Sequence, residues 1–126
     1  MSKKTILTEK APKPVGPYSQ AVISGGFVFV SGQIPIASAS SKLVEGGIEA
    51  QTVQVLENLK NILESINLTL DDVVKTSVYL SHLNNFQSFN MVYSRYFEVN
   101  PPARTTAQAG LMAGVLVEID AVAKKG

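Results

Sequence analysis

Few residues in this chain combine a reactive side chain with a pattern that could place it. Arg104 stands in "NPPARTTAQAG", residues 100–110, with no other charge in the stretch. In an extended strand Arg104, Thr106 and Gln108 share one face, while Ala103, Thr105, Ala107 and Ala109 share the other. A guanidinium fork matches a carboxylate through two parallel hydrogen bonds, so Arg104 could orient a small anionic ligand or pair with an acid of the chain itself. Such an acid is at hand in "VLVEIDAVA". There, period two puts Glu118 and Asp120 on one side with Leu116 and Val122, opposite Val117, Ile119, Ala121 and Ala123. Glu118 could activate water as a general base, or it could be a solvated acid or the partner of Arg104. Tyr18, after Pro17, could cover a ligand or pack on a surface. Asn90 sits among aromatic residues at helical spacing, where a buried amide must find hydrogen-bond partners.

The rest of the inventory removes whole classes of mechanism. His82 is the only histidine and there is no cysteine, so one chain cannot build a His/Cys zinc site, a disulfide or a thiolate nucleophile. A Ser-His-Asp site would have to use His82, yet "LSHLN" reads as a strand-to-helix corner. Neither a G-x-x-x-x-G-K-[ST] run nor a G-x-G-x-x-G fingerprint occurs. Eleven basic and ten acidic residues leave a net charge of +1, which gives no general grip on nucleic acid or anionic membrane. The Lys-rich ends read as solvated termini. No stretch approaches the roughly 20 apolar residues of a membrane span, and "MSKKTILTEK" lacks a signal-peptide apolar region. A cytosolic chain without metal or cofactor is the expectation.

The elements that must position these residues follow from periodicity. A length of 126 residues with 45% apolar content suits one globular domain, residues 1–126. An extended start around Thr5 to Thr8 precedes "APKPVGPYSQ", whose three prolines oppose a helix. "SQAVIS" and "FVFVSG" flank Gly25-Gly26, a pair suited to a tight hairpin turn. "ASASSKLVEGG" reads as a surface loop. Apolar residues from Ile48 to Ile66 recur at helical spacing, and Asn67 suits a left-handed cap before the "LTLDD" turn. "VVKTSVYLS" reads as a strand. A second helix from Asn84 or Asn85 aligns Phe86, Phe89, Tyr93 and Phe97, and Asn100-Pro101-Pro102 stops it. "ARTTAQA" and "VLVEIDAVA" are the last strands, joined through "GLMAG".

The order ββ(β)αβαββ predicts an α+β domain with two helices on one face of a mixed sheet. "FVFV" and the final strand remain apolar on the other face. Sheet-to-sheet packing between copies of the chain would cover it, so a homo-oligomer is expected.

Taken together, "GPYSQAV", "SGQIP", "VYLSHLNNFQSFNMVY", "PPAR" and "VEIDAVA" resemble the RidA family, also called YjgF, over nearly the whole chain. The resemblance implies a chorismate-mutase-like α+β fold, assembled as a homotrimer whose sheets form a central barrel-like core with the helices outside. It also implies small-ligand clefts between subunits and hydrolysis of reactive 2-enamino and 2-imino acids, such as 2-aminoacrylate, 2-iminopropanoate and 2-iminobutanoate, to 2-oxo acids and ammonia. By motif, Arg104 would grip the substrate carboxylate and Glu118 would position the attacking water. Tyr18, Ser31, Gly32, Gln33, Asn90 and Thr106 would line the cleft. No metal, cofactor or covalent nucleophile is implied, because an iminium carbon is already electrophilic. Close deaminases often have Ser-Cys after the arginine and an "ARLP"-like run beyond it. Thr105-Thr106 and "AGLMAG" stand there in this chain. Some relatives carry endoribonuclease or translation-inhibitor labels, and a non-catalytic ligand-binding trimer would use the same cleft.

Overall fold

The computed structural model describes residues 2–125. Eight strands and two α-helices follow in the order β1 (Lys4–Ile6), β2 (Ala21–Ser24), β3 (Phe27–Gln33), β4 (Ile36–Ala37), β5 (Lys42–Leu43), α1 (Ile48–Glu64), β6 (Val73–Leu80), α2 (Phe86–Tyr96), β7 (Ala103–Gln108) and β8 (Val117–Lys124). Six strands form one sheet in the order β1-β2-β3-β8-β6-β7. Only the β6–β7 pair within it is parallel, since α2 carries the chain back over the sheet between these two strands.

The local signals explain the elements. Gly25 and Gly26, at φ 60° and 80°, close the β2–β3 hairpin in a region that a Cβ disfavours. Helix α1 ends at Glu64, two residues before the apolar repeat does, and Asn67 at φ 63° reverses the chain as its sequence position suggests. Residues Leu70–Asp72 then form a 3-10 turn closed by Thr69 and Asp72, each accepting from a backbone N–H of the turn. Asn85 precedes α2 without a side-chain cap, because a 3-10 turn over Leu83–Asn85 feeds directly into the helix. The Ser/Ala-rich segment departs from the expected loop: β4 and β5 pair as a small separate hairpin. The last strand starts at Val117 rather than Val115.

Both helices cover the same sheet face. The core lies between them and Val28, Val30, Val78, Leu80, Val117, Ile119 and Ala121, with Leu56, Leu59, Ile62, Leu63 and Phe89 opposite. Strand parity sends Phe27 and Phe29 to the other face, where Phe29 keeps 48% of its surface exposed. That face is bare in the single chain. No helix among the described residues is long and apolar enough to cross a membrane.

Side-chain amides hold the irregular segments. Buried Gln20 accepts from the Thr8 N–H and donates to the carbonyls of Thr8, Ala11 and Pro12, which fixes the proline-rich N-terminal run. Asn58 of α1 donates to the carbonyls of Ile34 and Ile36. Gln51 donates to the Gly114 carbonyl at 2.8 Å and accepts from the Leu116 N–H at 2.7 Å, which locks the loop that enters β8. Gln51→Leu keeps the volume but orphans both backbone groups. Chemical denaturation is expected to show a loss of roughly 2–4 kcal/mol.

Candidate functional site

Arg104 and Thr106 project from β7 toward the helices. Arg104 is the parallel-register neighbour of Thr76, and Thr106 that of Val78, both of which are buried under the helical layer. The Arg104 Nη1 donates to Asn90 Oδ1 of α2 at 2.8 Å. Its guanidinium carbon lies 4.8 Å from the Tyr93 ring centroid, 5.6 Å from Phe86 and 5.9 Å from Phe89. A guanidinium offers five N–H donors, and the amide engages one of the nitrogens that carry them. Among the described residues Arg104 makes no hydrogen bond to a carboxylate, so the internal salt bridge open to it on sequence grounds does not form. Thr106 Oγ1 is buried and has no hydrogen-bond partner. A buried hydroxyl left in that state costs on the order of 1–3 kcal/mol.

Glu118 lies on the other face of the sheet. Its antiparallel neighbour is Tyr79, which alternates with buried Val78 and Leu80 and points away from the helices. Glu118 and Arg104 therefore belong to different faces, on strands two places apart in the sheet. At a strand spacing of about 4.8 Å, two steps separate them laterally by roughly 10 Å before the sheet thickness is counted. One chain does not bring the two together.

Around Glu118 the structure gathers part of the set implied for the cleft. Strands β3 and β8 change register between Val30 and Gln33, which leaves Ser31 and Gly32 opposite Asp120 in a bulge. A Cβ built on Gly32 would collide with the Glu118 carboxylate. Glycine at this position thus lets the acid lie against the backbone. Ser31 N–H donates to the Gln20 carbonyl at 2.9 Å and its hydroxyl donates to the Ser19 carbonyl at 2.6 Å, tying the bulge to the segment that carries Tyr18. Tyr18 is 52% exposed. It shares a cavity of about 70 Å³ with Gly32, Gln33, Lys13 and Val15. Gln33 is the inward member: it is 6% exposed and its amide donates to the Ser31 carbonyl, so its side chain supports the bulge.

Burial, and then the neighbouring Asp120 charge, push the Glu118 carboxyl above its ordinary value of 4.5. A carboxyl raised in this way holds a proton more tightly than an ordinary glutamate, so its carboxylate is the stronger base. His82 is exposed at the end of the β6-to-α2 corner, its side chain forming no cap. Among the described residues no group of three or more His, Asp or Glu could hold a metal ion. What sequence reasoning missed is the bed beneath Arg104. The aromatic stripe of α2 reads as core from its spacing, and only the parallel β6–β7 register shows that it also carries the arginine.

The family model described as Endoribonuclease L-PSP matches residues 8–125. A RutC family protein of Pyrococcus abyssi is 51% identical over 126 residues, covering 99% of each chain. The human protein named 2-iminobutanoate/2-iminopropanoate deaminase is 42% identical over 98% of this chain and 91% of its own. A crystal structure from Thermotoga maritima, described as that of a candidate endoribonuclease, superposes with a TM-score of 0.94 at 49% identity, covering 98% of both chains.

Two expectations test the Glu118 end. Since its folded-state pKa is raised, protonation favours folding: that contribution is complete below the unfolded-state value and is lost as pH rises through the folded one. Glu118→Gln should therefore raise the melting temperature at pH 7, and the gain should vanish below about pH 4. Gly32→Ala should displace the flexible Glu118 carboxylate while leaving the melting temperature within about 3 °C, because the far end of the side chain can yield.

Proposed function

The chain belongs to the RidA (YjgF) family, and from that premise we propose that it is a deaminase hydrolysing 2-imino acids, and their 2-enamino tautomers, to 2-oxo acids and ammonia. The observation that carries the reading is Arg104: a half-buried guanidinium on an aromatic bed, bonded to a neutral amide and left with donors for an outside carboxylate. The name of the human relative supports the reaction class.

In this reading Arg104 pairs with the substrate carboxylate and Thr106, whose hydroxyl lacks a partner, adds a donor beside it. Glu118 takes a proton from water as the oxygen adds to the C=N carbon and returns it to the nitrogen, which regenerates the carboxylate. The resulting carbinolamine loses ammonia and leaves a C=O group. The imine supplies its own electrophile, so orientation, charge pairing and one placed base suffice. Tyr18, Ser31, Gly32, Gln33 and Asn90 complete or support the cleft.

Because Arg104 and Glu118 lie on opposite faces of one sheet, the cleft needs residues of two chains. A homotrimer with its sheets packed inward would cover Phe27 and Phe29 and bring the bulge of one copy to the β7 edge of the next. The protein would act on free small molecules in the cytosol and need no cofactor. The family description as an endoribonuclease supports a second reading, RNA cleavage, but the near-neutral charge gives no footprint for a polyanion.

Coupling the protein to a pyridoxal-phosphate-dependent threonine or serine dehydratase and timing oxo-acid release decides between these. We expect acceleration, a loss of about 10- to 100-fold in kcat/KM for Arg104→Ala, and about 10²- to 10⁴-fold for Glu118→Ala. Glu118→Ala should still bind a 2-oxo acid. A parent protein that binds 2-oxo acid without turnover is a sensor. One that cleaves RNA, with cleavage lost on cleft mutation, is a nuclease. A monomeric mass by light scattering at micromolar concentration would remove the two-chain site.

A further inference from the structure

We propose that Tyr93, tied to Thr76, is a positioning residue that sets the orientation of the Arg104 guanidinium. The inference deepens the reading of Arg104 as a carboxylate anchor and rests on it for its functional consequence. Thr76 of β6, Arg104 of β7 and Tyr93 of α2 form a closed triangle. Thr76 and Arg104 are neighbours in the parallel register. The Tyr93 hydroxyl and Thr76 Oγ1 are 2.7 Å apart in a buried hydrogen bond. The Tyr93 ring lies closer to the guanidinium carbon, at 4.8 Å, than either of the other two rings.

Packing alone does not account for the hydroxyl pair. Thr76 is fully buried and Tyr93 nearly so, and each hydroxyl meets the other. Val and Phe would fill the same space without two polar groups to desolvate. What the pair adds is a fixed height and tilt for α2 over β6. Asn90, three residues before Tyr93 on that helix, is thereby held where its Oδ1 meets Arg104 Nη1. The guanidinium is gripped below by the ring and along one edge by the amide. An arginine without that bed must order its rotamers as it binds, and this cost appears as weaker affinity.

Phe97 supplies the control. It is buried and stacks on Tyr93 with centroids 4.7 Å apart, yet it is not among the rings over Arg104. Arg95 and Arg104 are the only arginines, so the side-chain ¹⁵Nε–H spectrum of the full-length protein holds two signals, assigned with Arg104→Lys. Tyr93→Leu should move the Arg104 signal by removing the ring current and raise the calorimetric Kd for 2-oxobutanoate about three- to tenfold. Tyr93→Phe, which keeps the ring and loses only the hydroxyl tie to Thr76, should leave the Arg104 signal nearer the parent than Tyr93→Leu does and raise the Kd by about two- to threefold. Phe97→Leu should lower the melting temperature but leave both the signal and the Kd in place. An unmoved Arg104 signal in Tyr93→Leu, or an equal movement in Phe97→Leu, overturns the positioning role. If the parent protein does not bind 2-oxobutanoate, the anchor reading fails, while the Arg104 Nε–H order parameter still decides the positioning role: it should fall in Tyr93→Leu and not in Phe97→Leu, and equal values in the two variants overturn it.

Discussion

The period-two alternation of β7 and β8 sends Arg104 under α2 and Glu118 to the face that both helices leave bare. Everything else about the candidate site follows from that division. On the helical side the arginine shares a layer with aromatic rings that pack the core, which gives it a rigid bed and partial shielding from water. On the open side the acid lies against the Gly32 backbone, where a bulge has replaced regular ladder pairing. A rigid sheet keeps the two chemistries apart within one chain. The same sheet carries one near its edge and the other on its bare face.

Precision at each end comes from different sources. Arg104 is fixed by regular structure, since a strand, its parallel neighbour and a helix converge on it. Glu118 depends on irregular backbone, and irregular backbone needs side chains to satisfy its polar groups. Gln20, Gln33, Asn58 and Gln51 do this from the interior, each spending its amide on backbone groups of a loop or bulge. Their burial is tolerable because those hydrogen bonds are made. The open site is thus built on a backbone whose alternative conformations are removed from within.

Much of the fold is legible from short-range chemistry. The Gly25-Gly26 turn, the α1 stripe and the Asn67 reversal are local, and the residues there dictate the backbone, whereas α2 ends at Tyr96, before the Asn100-Pro101-Pro102 run expected to stop it. Parity within a strand is legible too: Arg104 with Thr106, and Glu118 with Asp120, share faces as the alternation requires. What spacing cannot give is the phase between strands. That phase is set by the parallel β6–β7 register and by irregularities at Val30/Gln33 and Val73/Lys75, all long-range properties. Hence a contact between Arg104 and Glu118 was open on sequence grounds and is closed by the structure. The β4–β5 hairpin escaped for a related reason: its Ser/Ala composition is that of a loop, and Asn58 of a distant helix bonds to the carbonyls of Ile34 and Ile36 beside it.

The "AGLMAG" path between β7 and β8 is confined by these constraints. Ala109 N–H donates to the Leu80 carbonyl at one end, and Gln51 grips Gly114 and Leu116 at the other. Gly114, at φ 81°, makes the turn, and a Cβ there would also crowd Leu43. The path between the anchors is short. A change in composition along it therefore acts through the side chains it displays, such as exposed Met112, with the entry of β8 held in place. Glu118 lies two residues beyond Leu116 and inherits that fixed entry. The side chains that the loop displays can then vary while the placement of Glu118 is preserved, because the clamp acts on backbone groups, provided that Gly114 keeps its turn and residue 116 its N–H.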